Sequence, residues 1–178
     1  SYDFYLGYGA KKGKIVTLDT GHFHLTESIA DKISSMLLFT PEIMLHVSRP
    51  IRWDSDHVVI LNDDLQDLAR EIIRCDALDR VHIGLDYFDA TINRIGAYVI
   101  GCRATQKAFI QALLEPSALL NSYEENGQYF ERLALQEELK SMPWQAVWDY
   151  YCLLNNVPVG ENYISEIQKY EQTVTSKR

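Results

Sequence analysis

Aspartate and histidine side chains in the segment from His46 to His57 have the types and spacing needed to bind a divalent cation. Asp54 and Asp56 stand two residues apart in this segment, which only Pro50 interrupts as a turn-forming residue. An extended or looping backbone points residues i and i+2 the same way, so the two carboxylates can act together. Taken alone, the segment is better explained as a solvated acidic turn with His57 beside it. Whether the segment is a turn or an active-site loop depends on the strands and helices that precede and follow it.

Three short runs rich in β-branched residues predict strands, and a stretch with helical periodicity follows each of them. The predicted strands are Lys14 to Asp19, Met44 to Ser48 and Val81 to Asp86. Helices are predicted from Thr26 to just before Thr40, from an Asn62 N-cap onward, and over residues 92–114. Strands that alternate with helices in this way indicate an α/β fold with a parallel sheet.

Polar side chains are concentrated at the carboxyl ends of the predicted strands, the edge where parallel α/β folds bind ligands. They are Asp19, His22, His46, Asp54, Asp56 and Asp86. Singly, Asp19 and Asp86 are explained as caps, and His46 or His82 as hydrogen-bonded core histidines. Together, carboxylates and imidazoles without thiolates suit Mn²⁺, Mg²⁺, Co²⁺ or Zn²⁺, and six ligands are enough for two ions.

Composition excludes several classes of protein. The 178 residues are 47% hydrophobic and 24% charged, which is typical of a globular chain. A net charge of −8 argues against nucleic acid or an anionic membrane as partner. No apolar run approaches the roughly 20 residues that span a bilayer, and no signal-peptide pattern is present, so a cytoplasmic location is expected. Cys75, Cys102 and Cys152 lack the spacing of a metal site or a disulfide framework and are expected to be core thiols.

Longer strings in the sequence resemble the C-terminal part of L-rhamnose isomerase. They are residues 18–24 (LDTGHFH), 46–58 (HVSRPIRWDSDHV), 82–90 (HIGLDYFDA), 143–151 and 157–160. The resemblance implies the last three βα units of a (β/α)8 TIM-type barrel, followed by a C-terminal helical extension. It also implies a homotetrameric enzyme of carbohydrate metabolism that interconverts L-rhamnose and L-rhamnulose with two divalent ions, typically Mn²⁺.

The resemblance further implies how the ligands are shared and what the ions do. The first ion would bind substrate oxygens, and the second would activate a water that moves a proton between O1 and O2 during a hydride shift. The sequence does not separate this route from an ene-diol route. His24, His57 and Trp53, with the two arginines of the same motif, receive no metal role. The implied ligands are Asp19, His46 and Asp86 for the first ion, and His22, Asp54 and Asp56 for the second, catalytic ion.

The chain is expected to be the C-terminal part of a longer protein. Residues 1–116 are predicted to form the part of the barrel that carries the metal site, and residues 117–178 a helical extension for packing or for an oligomer interface. A complete barrel needs roughly 250 residues. The family also adds a glutamate, with a lysine nearby, from the preceding strand, and no Glu-x-Lys stands before Ile15. A missing N-terminal part is therefore expected to complete both the barrel and the first ligand set.

Two other functions remain open at this point. A divalent-metal hydrolase would use the same ligands, with a bound hydroxide as the nucleophile. A non-catalytic metal-binding fragment would keep the ligands but would not bind sugar. Assays with aldoses and with esters or amides would distinguish an isomerase from a hydrolase. Titration with Mn²⁺ and with L-rhamnose would identify a non-catalytic fragment, which would bind the metal but not the sugar.

Overall fold

The protein is described here by a computed structural model that covers residues 1–51, 55–89 and 91–178. These residues form two compact units, Ser1–Leu113 and Leu114–Arg178. Within the described ranges, the first unit contains three strands and four α-helices, and the second contains four α-helices and a short 3-10 helix. No helix in the described ranges is long and apolar enough to cross a membrane.

A parallel sheet lies at the centre of the first unit, as the sequence predicts. Its strands are β1 (Val16–Asp19), β2 (Ile43–Val47) and β3 (Val81–Leu85), in that spatial order. The register aligns Asp19 with His46, and His46 with Gly84. The three carboxyl ends therefore lie side by side, and the loops that follow them leave the sheet at one edge.

The two faces of this sheet differ because strand side chains alternate. On one face, apolar strand residues join residues of the helices in a single core: Val16, Leu18, Ile43, Leu45, Val47 and Val81 with Ile33, Met36, Leu65, Leu68 and Ile72. On the other face, Thr17 and His82 are exposed, and His46 is half-buried. His82 Nε2 lies 2.6 Å from Glu42 Oε2, so His82 is an exposed residue in contact with a carboxylate and not a core histidine.

Helix α1 (Tyr2–Lys12) is absent from the sequence prediction. Its partly buried Tyr2 and Leu6 pack on the core, but Phe4, Tyr5 and Tyr8 are exposed. Because aromatic residues lie on both sides of the helix, no amphipathic stripe marks it in the sequence. It ends at Gly13, whose φ of 59° is in the left-handed region that glycine adopts at little cost.

Helices α2 and α3 follow the predicted pattern. Helix α2 (Ala30–Met36) starts later than Thr26, because residues 24–27 form a turn in which the Glu27 N–H donates to the His24 carbonyl at 2.9 Å. Helix α3 (Asp63–Arg74) begins at the predicted cap, and Asn62 Oδ1 accepts from the Leu65 N–H at 3.2 Å. The cap satisfies a backbone donor that the first helical turn leaves without a partner.

Helix α4 (Arg94–Leu113) occupies the predicted position, with its start defined by Asn93. The Gly96 N–H donates to Asn93 Oδ1 at 2.9 Å. Asp86 lies well before this helix and is not its cap. The alternative prediction that Asp86 serves as a helix cap is therefore wrong, and capping does not explain its carboxylate.

The second unit is helical. It comprises α5 (Ser117–Glu125), α6 (Tyr129–Lys140), α7 (Trp144–Leu154), α8 (Tyr163–Thr173) and the 3-10 helix Thr175–Lys177. Of these, α5 is not predicted from the sequence. In α7, Trp148 is buried and stacks on Tyr151 of the same helix, with ring centroids 5.6 Å apart.

The three cysteines occupy different environments and form no disulfide. Cys152 is buried, Cys75 is half-buried and Cys102 is exposed. The expectation of core thiols is confirmed for Cys152 and wrong for Cys102. Burial raises the pKa of the Cys75 thiol, which favours its neutral form.

Candidate metal centre

Three adjacent strands bring Asp19, His46 and Asp86 together. Asp19 ends β1 and is the register partner of His46 in β2. Asp86 directly follows β3, and its N–H donates to the Val47 carbonyl at 3.1 Å, which extends the backbone ladder past the strand. His46 Nδ1 lies 3.5 Å from Asp19 Oδ2 and 3.3 Å from Asp86 Oδ2. The imidazole therefore stands between two carboxylates.

A second group forms where the loops after β1 and β2 meet. His22 Nε2 lies 3.6 Å from Asp19 Oδ2 and 3.8 Å from Asp56 Oδ2. In this group, and in the group of Asp19, His46 and Asp86, the potential ligand atoms all lie within 4.8 Å of one another. Asp19 belongs to both groups, a sharing that the sequence-based division of ligands does not contain.

The loop after β2 folds back on itself and carries Asp56 to the end of β1. The Arg49 N–H donates to the His57 carbonyl at 2.9 Å, and the His57 N–H donates to the Arg49 carbonyl at 3.2 Å. Arg49 Nε also donates to the Val58 carbonyl at 2.9 Å. The Ser55 N–H donates to the Gly21 carbonyl at 3.3 Å and joins this loop to the one after β1. Arg49 and His57 thus shape the loop that positions Asp56.

Of the residues that the sequence analysis names, some are outside the described ranges and His24 lies outside both ligand groups. Asp54, together with Arg52 and Trp53, falls outside the described residues, so its role as a ligand stays a prediction. His24 belongs to neither group: its Nδ1 accepts from the Thr26 N–H at 3.3 Å and lies 2.7 Å from Thr26 Oγ1.

The donor set fits a divalent cation. Carboxylate oxygens and imidazole nitrogens are ligands for hard and borderline metals. The Asp19 side chain is 22% exposed, whereas those of Asp86 and His22 are 64% and 54% exposed. The shared carboxylate is thus the more protected one, and the outer ligands leave an approach from solvent.

The chain matches a known protein family along its whole length. The family model described as L-rhamnose isomerase (RhaA) matches residues 1–178. The chain belongs to the L-rhamnose isomerase family. This membership confirms the resemblance found in the strings around Asp19, His46 and Asp86.

Curated relatives carry the same name. The chain is 69% identical over its whole length to an L-rhamnose isomerase of Bacteroides thetaiotaomicron, and covers 43% of that relative. It is 56% identical to an L-rhamnose isomerase of an Enterobacter species and 56% identical to one of Yersinia pseudotuberculosis, and it covers 42% and 43% of them. The chain therefore spans less than half the length of these L-rhamnose isomerases and matches their C-terminal part.

Ser48 and Thr20 were not among the predicted site residues, although both contact the centre. Ser48 Oγ donates to Asp56 Oδ1 at 2.8 Å, and Thr20 Oγ1 accepts from the Ser48 N–H at 2.8 Å. The sequence carries one signal for Ser48, since strand alternation places it on the face of His46. A serine on that face could have many partners, so the alternation alone predicts no particular role for it.

Proposed function

We propose that this chain belongs to an enzyme that interconverts L-rhamnose and L-rhamnulose with two divalent ions, typically Mn²⁺. The observation that carries the proposal is the convergence of two overlapping ligand groups at one sheet edge in a chain of the L-rhamnose isomerase family. The groups share Asp19, and carboxylates supply most of their ligand atoms. A divalent ion would offset the repulsion between these carboxylates, which is a physical reason for them to be placed together.

The proposal assigns the candidate ligands to two ion positions. Asp19, His46 and Asp86 would hold the first ion, and His22 and Asp56, together with the shared Asp19, would hold the second. Asp54, outside the described residues, is proposed as a further ligand of the second ion. Bound there, the ions would polarise the sugar carbonyl and lower the pKa of a water molecule.

The chain's own residues determine how the sugar reaches the centre. The reaction moves a hydride between C1 and C2 and a proton between O1 and O2, so both carbons must lie beside the ligand groups. The open sides of Asp86 and His22 leave room for this approach. The Gly21 N–H bond to Asp19 and the Ser48 hydroxyl bond to Asp56 are partly buried and would keep the carboxylates in place while substrate exchanges.

The architecture proposed for the whole protein is a (β/α)8 barrel. Residues 1–116 would supply its last three βα units, and residues 117–178 a helical extension for packing or for an interface in a homotetramer. The polar face of the sheet supports this assignment, because ligand-binding residues of such barrels project from the carboxyl ends of the strands. An N-terminal part would add the remaining strands and a glutamate ligand for the first ion. A cytoplasmic location belongs to the same proposal.

Turnover by the full-length protein tests the proposal. With Mn²⁺ present, we expect conversion of L-rhamnose to L-rhamnulose, and we expect Asp54→Asn to abolish it while the protein stays folded. Running the reaction in D₂O distinguishes the routes, since extensive deuterium at C1 of the product would indicate an ene-diol in place of the hydride shift. Hydrolysis of esters or amides without aldose isomerisation would instead support the hydrolase alternative and contradict the proposal.

A further inference from the structure

Ser48 links the two loops of the metal centre. It lies one residue beyond β2 and is 7% exposed. Its Oγ donates to Asp56 Oδ1 at 2.8 Å, whereas Asp56 Oδ2 lies 3.8 Å from His22 Nε2. The two oxygens of this carboxylate are therefore divided: Ser48 holds one, and the other is directed toward the candidate metal ligands.

Thr20 holds Ser48 in the orientation that this contact requires. The Ser48 N–H donates to Thr20 Oγ1 at 2.8 Å, and Thr20 Oγ1 donates to the Ser48 carbonyl at 2.9 Å. Both residues are 7% exposed, so these bonds are largely shielded from water. Thr20 Oγ1 lies 3.4 Å from Ser48 Oγ, farther than Asp56 Oδ1 at 2.8 Å, so the single hydroxyl proton of Ser48 is directed to the Asp56 carboxylate.

Gly21 provides the space for this arrangement. A Cβ added at Gly21 would contact Asp56 Oδ1 and would lie 2.7 Å from Ser48 Oγ and 2.9 Å from the Ser55 carbonyl oxygen. Distances this short force a neighbour to move. A side chain at position 21 would therefore crowd the contact between the Asp56 carboxylate and the Ser48 hydroxyl.

We propose that Ser48 is a positioning residue of the metal centre, whose hydroxyl orients the Asp56 carboxylate for the second ion. This inference rests on the proposed function, because it requires an ion held by His22 and Asp56. Groups that hydrogen-bond to metal ligands fix the direction of the ligand atom, and their removal lowers metal affinity by about 10- to 100-fold. Ser48 acts in this way through Asp56 and does not itself touch the ion.

Mn²⁺ binding to the full-length protein, followed by electron paramagnetic resonance, tests the inference without an activity measurement. We expect Ser48→Ala to raise the Kd of one of two Mn²⁺ sites by about 10-fold or more and to leave the other unchanged. Ser35→Ala is the matched control, because the Ser35 hydroxyl is exposed in α2 and donates to the Asp31 carbonyl at 3.3 Å, outside both ligand groups. It should leave both sites unchanged.

A double-mutant cycle asks whether Ser48 acts through Asp56. In an Asp56→Ala background the acceptor oxygen is gone, so Ser48→Ala should cause no further loss of Mn²⁺ affinity. Gly21→Ala is a second, independent variant that keeps every hydroxyl but displaces the carboxylate. It should weaken the same Mn²⁺ site as Ser48→Ala.

The outcomes separate the two proposals. An unsubstituted protein that binds no Mn²⁺ overturns the proposed function, and the role of Ser48 with it. Two Mn²⁺ sites that Ser48→Ala leaves unchanged overturn the positioning role alone, as does an equal loss of affinity in the Asp56→Ala background. If Ser48→Ala does not fold, as judged by thermal unfolding of the metal-free protein, Gly21→Ala decides, and an unchanged Kd in that variant overturns the role.

Discussion

Asp19 divides its two carboxylate oxygens between the backbone and the candidate ions. The Gly21 N–H donates to Oδ1 at 3.0 Å. The other oxygen, Oδ2, lies 3.5 Å from His46 Nδ1 and 3.6 Å from His22 Nε2. Among the described residues, Asp19 alone belongs to both ligand groups. The two proposed ion positions therefore depend on one negative charge.

Replacing Asp19 with asparagine should weaken both ions at once. The substitution keeps the shape of the side chain but removes the charge, so the Kd for each Mn²⁺ should rise by more than about 10-fold, the loss that removal of even a supporting group can cause. Asp86→Asn should weaken only one ion, because Asp86 belongs to one group. Calorimetric titration of the full-length protein with Mn²⁺ gives both affinities.

Asp31→Asn is the control for this pair, since Asp31 is an exposed aspartate in α2 outside both groups. Loss of a single site in Asp19→Asn would contradict the shared carboxylate, and each ion would then need its own ligand set.

The sequence predicts that Asp19, His46 and Asp86 lie at one edge of the sheet. Strands that alternate with helices are parallel, and the carboxyl ends of parallel strands meet at the same edge. It does not reveal that His22 and Asp56 approach the same carboxylate. That approach depends on the backbone bonds between Arg49 and His57, which fold the loop after β2 back on itself. These bonds join main-chain atoms, which every residue has, so the order of side chains in the sequence does not predict them.

At the scale of elements, Tyr87 fixes the position of α4. Tyr87 is 4% exposed, and its hydroxyl donates to the Ala97 carbonyl at 3.0 Å. Burial raises the pKa of Tyr87 to about 12, so the hydroxyl stays protonated and remains a donor at neutral pH. Gly101 lies directly against the ring, where an added Cβ would contact the hydroxyl oxygen and lie 2.7 Å from Cζ. Since Tyr87 follows Asp86, this packing also anchors the backbone next to a candidate ligand.

Gly101→Ala should destabilise the protein, whereas Gly7→Ala should not. The added methyl at position 101 must displace a buried ring, an overpacking that typically costs about 1–3 kcal/mol. At position 7 in α1, nothing lies within 4 Å of an added Cβ, and the higher helix propensity of alanine should stabilise by up to about 1 kcal/mol. Urea unfolding followed by circular dichroism measures both. Equal shifts in the same direction would show that the contact with Tyr87 is not limiting.

Helix prediction succeeded where one side of the helix is apolar and a cap marks its start. Helix α3 has both features, with Asn62 as the cap and Leu65, Leu68 and Ile72 buried along one side. Helix α1 has neither, since no side-chain cap bond is made by Ser1 and exposed aromatic residues obscure its buried side. Its helical state depends on packing against the sheet, which a local pattern does not contain.

At the scale of the whole molecule, the sheet of the first unit has one covered face and one polar face. In the described chain, β1 and β3 each pair with β2 on one side. Parallel sheets are normally covered on both faces and leave few free edges. In the proposed barrel, further strands would therefore adjoin the polar face with Thr17, His46 and His82.

Residues 1–178 expressed alone should not isomerise L-rhamnose. The open sheet edges favour association, and the proposed glutamate ligand of the first ion is not part of this chain. We expect self-association in analytical ultracentrifugation and no L-rhamnulose formed with Mn²⁺, with the full-length protein as the active control. A monodisperse chain that unfolds cooperatively and has full activity would contradict this expectation, and the first ion would then take its remaining ligand from within residues 1–178.

The register of the sheet also limits where residues can be inserted into or deleted from the chain. Asp19, His46 and Gly84 share one row across the three strands. Inserting a single residue into β2 ahead of His46 would turn the later side chains of the strand to the opposite face and move the imidazole to the buried position of Val47, in the row of Leu85. The connection at residues 155–162 is largely exposed and lies in the other unit. Insertions and deletions should therefore be tolerated there, while the strands keep a constant length.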